Sequence, residues 1–304
     1  MALWLSHPKY VPVREYLVQC LRSPWYRFRR VEPVLFLCGA RASPRRDALR
    51  GYLRKRQPSL GLFYAERVWE YIAGQSDLSA LKMEADLAAL ADLVVIIVES
   101  PGTFAELGAF SLSDPLRRKV LPILDERYQK EPSFISTGPV RWIDRESDFK
   151  PAIYGPLARI LETVEEVEER IARIPKSRSV GMSDLGSSPK HLLFFLCDLI
   201  AVIYPATPDM IKYYVGRIAP KLAKEAKVDT LIGLAEAMGL IRAHGITIGE
   251  QKQVYFSPMA HDALERPFHA SPGLDLQSQR AAHVSVLLSI DQAKRVLDQL
   301  KKAL

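Results

Sequence analysis

The segment Val98-Glu-Ser-Pro-Gly-Thr-Phe-Ala-Glu-Leu-Gly108 gathers the groups that chemistry at a sugar requires. Breaking the bond between a ribose and a base passes through an oxocarbenium-like sugar, which needs a carboxylate beneath the anomeric carbon as nucleophile or electrostatic stabiliser. Glu106 can meet that need. The leaving base departs with the help of protonation or of its own positive charge, so one essential carboxylate suffices. Gly102 lets backbone approach a ligand closely, and Thr103 offers a hydroxyl and a helix-start amide to a phosphate or ribose oxygen. Glu99 and Ser100, in the loop itself, are placed to hold sugar hydroxyls. Thr103-Phe-Ala-Glu106 equally fits a Thr-x-x-Glu capping box, whose only task is to start a helix. The two readings are not exclusive, and both stand at this point.

The elements around this segment decide whether it faces a ligand. Residues 33–38 read as a buried strand ending at Gly39, and Ser43-Pro44 supply the cap and first residue of a helix to about Lys55. Gly61–Tyr64 is a second strand, and Ser76 or Asp77 can cap a helix over 78–90. Leu93–Val98 is too apolar to have a wet face and reads as a central parallel strand, and Val120–Leu124 is a fourth strand. A helix over Thr103–Ser111 and a single amphipathic helix over 156–174 complete an α/β fold, a Rossmann-like or flavodoxin-like parallel sheet. Ligands of such sheets bind outside the carboxyl ends of the strands, where strand order switches. Gly39, Tyr64, Glu66, Asp92, Glu99, Ser100, Gly102 and Thr103 are therefore the substrate-binding set around Glu106, with Asp125 as a further carboxylate; surface or capping duty is the alternative for each.

Residues 176–188 are small, polar and without period, and read as a linker. Beyond it, Ser188-Pro189 and Thr207-Pro208 each open a helix, a third helix covers 228–240, and an alternating stretch over 246–256 turns at Gly249. Three helices and a hairpin describe a winged helix-turn-helix. The expected organisation is a basic extension over 1–30, a catalytic domain over 31–175, the linker, and a DNA-binding domain over 189–304.

Charge agrees with a nucleic-acid partner. The chain of 304 residues carries +7, but residues 1–56 alone hold 13 Lys or Arg against Glu15, Glu32 and Asp47, an excess of +10. Arg27, Arg29 and Arg30, interleaved with aromatic residues, fit a phosphate surface as well as a solvated face. Lys221, Lys224, Lys227, Arg242 and Lys252 lie where a winged helix neutralises phosphates without reading bases. Three scattered cysteines and six single histidines give no metal pattern, and no apolar run spans a membrane, so a cytoplasmic protein without metal or membrane anchor is expected.

At these residues a resemblance becomes specific. VLFLCGA at the first strand, LFYAE at the second, ESPGTFAELGAFS around Glu106, LRRKVLPILDERY after it and SFISTGPVRWI beyond resemble retron effector proteins of the nucleoside deoxyribosyltransferase-like type, over residues 31–143 in ordered blocks. The resemblance implies that Glu106 is the nucleophile and that Asp92 corresponds to a binding aspartate. Its spacing to Glu106 is shorter than in the transferases, and no second aspartate precedes the Gly-Thr pair, so hydrolysis is favoured over deoxyribosyl transfer. It further implies a toxic effector restrained by a retron reverse transcriptase and a branched RNA-linked single-stranded DNA (msDNA), acting on a nucleotide pool with NAD as substrate and no cofactor. A purine nucleotide glycosidase and a non-catalytic, nucleotide-sensing DNA-binding protein are the alternatives. Oligomeric state is open between a single chain and a homo-oligomer or higher assembly.

Overall fold

The computed structural model divides the chain into two compact units, Glu32–Ser177 and Met1–Val31 together with Arg178–Leu304. The structure describes residues 4–23, 27–30, 33–58, 60–64, 90–175, 179–181, 185, 188–220, 228–248, 250–259, 263–265, 269–270 and 274–303. Among these, no helix is long and apolar enough to cross a membrane.

Residues 1–30, read from sequence as an extension, supply a helix α1 (Val11–Arg22) and a strand β1 (Arg27–Arg30) to the unit that holds the C-terminal residues. The reason lies in side chains that the excess of basic residues obscures. Trp4 and Tyr10 are fully buried, and Trp4 stacks on Tyr255 with ring centroids 5.8 Å apart. Burying rings of this size supplies several times the stabilisation of a surface ion pair.

The sheet unit is built from five parallel strands, β2 (Val34–Cys38), β3 (Gly61–Tyr64), β4 (Leu93–Ile97), β5 (Val120–Asp125) and β6 (Ile153–Gly155), in the order β3-β2-β4-β5-β6. Every residue of β2 and β4 is buried, which is why both read as unbroken apolar runs. Helix α2 (Pro44–Arg56) follows β2, capped by Ser43 Oγ accepting from the Arg46 amide at 3.2 Å, and α3 (Pro101–Leu112) follows β4. Leu49 and Leu53 of α2 pack on Leu35, Leu37, Val95 and Ile97 from one face of the central pair.

Short helices α4 (Asp114–Arg117) and α5 (Arg141–Glu146) precede β6, and α6 (Val164–Ala172) closes the unit. The single helix expected over 156–174 is in fact broken: two short 3-10 turns within Leu157–Thr163 meet at a kink at Arg159, at φ −124° and ψ 53°, before α6 begins. The Arg159 amide closes on the Pro156 carbonyl at 2.7 Å and the Thr163 hydroxyl donates to Ile160 O at 2.7 Å, which tightens these turns to three residues. Apolar spacing of three and four does not distinguish such a segment from an α-helix.

In the other unit, β7 (Ser179–Gly181) lies within the stretch read as a linker and pairs antiparallel with β1. It is only three residues long, and backbone pairing of that length leaves no sequence pattern. Helices α7 (Pro189–Ile203), α8 (Pro208–Ile218) and α9 (Val228–Ala237) lead to an antiparallel hairpin, β8 (Ile241–Ile248) and β9 (Gln251–Pro258). The third helix stops short of the expected 240 because Gly239, at φ 73°, closes a Schellman motif. The Leu240 amide bonds Ala235 O at 2.9 Å and the Gly239 amide bonds Glu236 O at 2.8 Å. A strand β10 (His269–Ala270) pairs with β1, and helices α10 (Leu276–Leu288) and α11 (Asp291–Ala303) end the chain. Tyr10, Tyr214 and His283 form a buried hydrogen-bond chain through α8 and α10. His283 Nδ1 lies 2.8 Å from Gln279 O, so it carries the proton and Nε2 accepts from Tyr214.

Gly155 at the end of β6 leaves no room for a side chain, since an added Cβ would lie 2.5 Å from the Thr163 methyl. Thr163 is buried and its hydroxyl is bonded, so the methyl has no easy escape. Gly155→Ala is expected to cost about 1–3 kcal/mol in denaturant unfolding. Adding Thr163→Ser removes the methyl and keeps the hydroxyl, so the double variant should recover most of that loss.

Candidate functional site

The chain leaves β2 for one edge of the sheet and β4 for the other, so the order β3-β2-β4-β5-β6 opens a crevice between the carboxyl ends of these two strands. Glu99, just past β4, closes that crevice on its polar side. Its Oε1 accepts from the Ala40 amide at 3.0 Å, and its Oε2 pairs with Arg45 Nη1 at 2.6 Å. The Glu99 side chain is 2% exposed. That burial pushes its carboxyl upward, but bonds from the Ser43 hydroxyl, Arg45 and the Ala40 amide outweigh it and hold the group below the usual glutamate range. Gly39 suits the same closeness, because a Cβ there would stand 3.1 Å from Arg46 Cδ and 3.3 Å from Glu99 Oε1 and would press on both side chains.

The helix that carries Glu106 starts earlier than its Thr-x-x-Glu spacing suggests. Ser100 is the N-cap and Pro101 the first helical residue. Ser100 Oγ accepts from the Thr103 amide at 3.3 Å, and Thr103 Oγ1 accepts from the amides of Ser100 at 2.9 Å and Glu99 at 3.0 Å. The capping box is therefore Ser100 with Thr103, and Glu106 has no part in it. The Thr103 hydroxyl, 1% exposed as a residue, is occupied by the cap rather than offered to a ligand.

Glu106 lies in the second turn of α3, half-buried, with Oε2 sealed from solvent. At 100° per residue it shares a column with Gly102 and lies about 200° around the helix from Phe104. Gly102 is exposed, and a Cβ there would meet only Ser100 Oγ at 3.8 Å, so packing does not demand glycine.

A cavity of about 690 Å³ opens over the carboxyl ends of β4, β5 and β6, on the Phe104 side of α3. Glu99 lines it and Glu106 does not. Arg127, Tyr128 and Tyr154 also line it, and the sequence reading missed them. Arg127 and Tyr128 end the block LRRKVLPILDERY, and their position just after β5, like that of Tyr154 within β6, could have pointed to them. Asp125 caps the turn after β5 and is gripped by Arg127 Nη2 at 2.6 Å, which holds its carboxyl below the usual range.

The other expected residues scatter. Asp92 stands at the amino end of β4, where it accepts from the Val34 amide at 2.7 Å, so the sheet places it at the end opposite Glu99. It ties two strand starts together. Tyr64 lies under Arg46 and Arg50, whose guanidinium carbons stand 4.2 and 4.4 Å from its ring centroid, and its hydroxyl donates to Asp47 at 2.5 Å. Glu66, Lys221, Lys224, Lys227, Gly249 and the helix expected over 78–90 fall wholly or almost wholly outside the described residues. Arg27, Arg29 and Arg30 form β1, and Arg242 and Lys252 are exposed on the hairpin.

The sheet order and the crevice define an open, doubly wound α/β protein with a second, helix-and-hairpin unit. A family model described as STM3845 retron effector protein matches residues 42–243, and the chain belongs to that family. Two Escherichia coli proteins are similar to it. One, from retron Ec86 and provisionally named a ribosyltransferase/DNA-binding protein, is 39% identical over 124 residues, 40% of this chain and 40% of its own length. The other, from retron Ec73 and named in the same way, is 34% identical over 125 residues, 38% of this chain and 40% of its own length.

The Glu99 contacts predict a pH-dependent loss. Glu99→Gln keeps the shape but removes the charge that Arg45 needs, and at neutral pH it should lower unfolding stability by about 2 kcal/mol. The native carboxyl ionises below the unfolded one, so its contribution is complete above the ordinary glutamate range and fades as pH falls through the native value. Denaturant midpoints of native and variant chains should therefore converge in acid. A gap that is the same at all pH values would assign the loss to packing.

Proposed function

We propose that the chain is the toxic effector of a retron antiphage system and breaks the N-glycosidic bond of a nucleotide, with Glu106 as the carboxylate beneath the anomeric carbon. The observation that carries this reading is the position of Glu106, half-buried, excluded from the capping box, and in one column with a glycine that packing does not require. Membership of the retron effector family and the provisional ribosyltransferase names of two relatives support it. NAD is the preferred substrate, yielding nicotinamide and ADP-ribose. The electron pair of the broken C–N bond neutralises the pyridinium nitrogen, so nicotinamide leaves without a general acid. Water adds hydroxide at the anomeric carbon and releases its proton to solvent, while the Glu106 charge offsets the positive sugar. No cofactor is needed.

The provisional ribosyltransferase names favour one second reading, release of the base from a purine nucleotide or nucleoside with transfer of the sugar. Incubating the purified chain with NAD, dATP and deoxynucleosides, then separating the products by chromatography, identifies the base released. Glu106→Gln should abolish release with an unchanged melting temperature. Gly102→Ala, a better helix former, should hold or raise the melting temperature while turnover falls about tenfold. Unchanged turnover in both variants would remove Glu106 from the reaction, and no base release by the native chain would leave a protein that binds a nucleotide without cleaving it.

The helix-and-hairpin unit fits a winged helix that contacts msDNA, with the reverse transcriptase as the second restraining partner. Arg242 and Lys252, exposed on the hairpin, are placed for phosphates. Binding to branched RNA-linked DNA should weaken steeply as salt rises, with log affinity linear in log salt, and substituting both residues by Ala should lower that slope by about 2. A flat salt response would remove phosphate contact as its basis.

A further inference from the structure

A second cavity, of about 350 Å³, lies within the helix-and-hairpin unit, where the end of α7, the end of β9 and the first turns of α10 meet. Most of its wall is apolar, from Ala201, Pro258, Met259, Leu264 and Ala281. Among the described residues, two charged side chains line it. Glu265 is exposed, whereas Arg280 is held inward by contacts that use only part of its guanidinium.

The guanidinium carbon of Arg280 lies over the Tyr204 ring, 3.4 Å from its centroid, and Nη1 donates to the Tyr204 carbonyl and, at 3.2 Å, to the Val202 carbonyl. These contacts close the end of α7, whose last carbonyls have no partner within the helix. They account for one edge of the guanidinium. Beyond the Tyr204 side chain, the other edge, Nε with Nη2, meets no acceptor among the described residues, and no described carboxylate acts on Arg280. Arg117 and Arg170 of the sheet unit are buried too, and each pairs with a carboxylate at 2.8 Å. Burial lowers Arg117, but Glu146 and Asp114 lift it above the usual arginine range. In Arg280 burial prevails over the two tyrosines near it and takes the group below that range.

The free edge selects a shape as well as a charge. Nε–H and one N–H of Nη2 point in parallel, a fork spaced for the two oxygens of an anion. The surroundings narrow the choice further. One cation balances one charge, and the Glu265 carboxylate opposes a second, which disfavours a phosphate dianion. The apolar wall suits a hydrocarbon body, and a volume of about 350 Å³ is at the small end of ligand sites. We propose that this cavity binds a small monocarboxylate with an apolar body, its two oxygens on the free edge of Arg280. The site rests on no reading of Glu106 and is separate from the phosphate contacts proposed for Arg242 and Lys252.

Calorimetric titration of the full chain with hexanoate, hexanamide and hexyl phosphate tests this. Hexanoate should bind about tenfold tighter than hexanamide, which keeps the body and lacks the charge. Hexyl phosphate should bind more weakly than hexanoate. Arg280→Lys keeps the charge without the fork and should cost about tenfold in hexanoate affinity. Because Arg280 also closes α7, two exposed positions separate binding from folding. Glu265→Gln should tighten hexanoate about threefold and leave hexanamide binding as it was. Ala281→Leu puts a good helix former into the cavity, so both ligands should weaken about tenfold while the melting temperature holds. Undetectable binding of hexanoate, equal binding of hexanamide, tighter binding of hexyl phosphate, or indifference to Ala281→Leu would each overturn the assignment.

Discussion

One buried carboxylate holds the site end of the sheet unit together. The chain departs from β2 and β4 toward opposite edges, so the loops beyond these strands meet across a crevice with no covalent link nearby. Glu99 spans it, taking a backbone amide from the first loop and a guanidinium from α2. Arg45 extends the tie to the Leu157 carbonyl beyond β6. A single charge thus fixes where α2 begins and where the far wall of the cavity lies. The arrangement is strong only as a set, because a buried ion that loses its partner keeps its desolvation penalty. Gly39 is the steric counterpart of this tie.

The phase of α3 divides the chemistry. Once Ser100 and Pro101 set the first turn, helical geometry sends Phe104 toward the cavity and Glu106 to the other side. Had the helix begun at Thr103, as its Thr-x-x-Glu spacing allows, Glu106 would have been spent on the helix start. The Ser100-Thr103 box satisfies the first amides without it, which leaves the carboxylate outside the helix start. The role proposed for Glu106, offsetting a positive sugar formed only briefly, is compatible with a carboxylate partly kept from water.

Legibility followed the length and completeness of burial. The apolar runs over Val34–Cys38 and Leu93–Ile97 announced buried parallel strands because both faces of each are covered. Ser43-Pro44 and Thr207-Pro208 marked real helix starts, each with its side chain on the third amide. The same Ser-Pro device was present at Ser100-Pro101, and giving it the weight it received elsewhere would have located the cap. The strands Ile153–Gly155 and Ser179–Gly181 are too short to hold a period, and their pairing comes from backbone alone. The cavity residues Arg127 and Tyr128 follow β5 and Tyr154 lies in β6, and only the fold brings the two strand ends together. Asp92 shows the converse. Its place beside a central strand was legible, but the end of the strand it occupies decides its role, and there it bonds the Val34 amide.

The excess of basic residues near the N-terminus takes on a different meaning in the folded chain. Part of it belongs to α2, where Arg45 serves Glu99, Arg46 and Arg50 cover the Tyr64 ring, and Arg56 lies 3.8 Å from Glu168. Those charges are spent inside the sheet unit. Another part belongs to α1 of the other unit, where Arg14 donates to Leu5 O and, with Arg217, engages Glu15. A count along the sequence treats all of them as one surface, but the fold assigns several of these to internal partners. What can meet phosphate without breaking an existing pair is therefore a smaller set, and on the hairpin it includes Arg242 and Lys252. The proposed nucleic-acid contact then rests on where the hairpin presents a few cations, rather than on net charge.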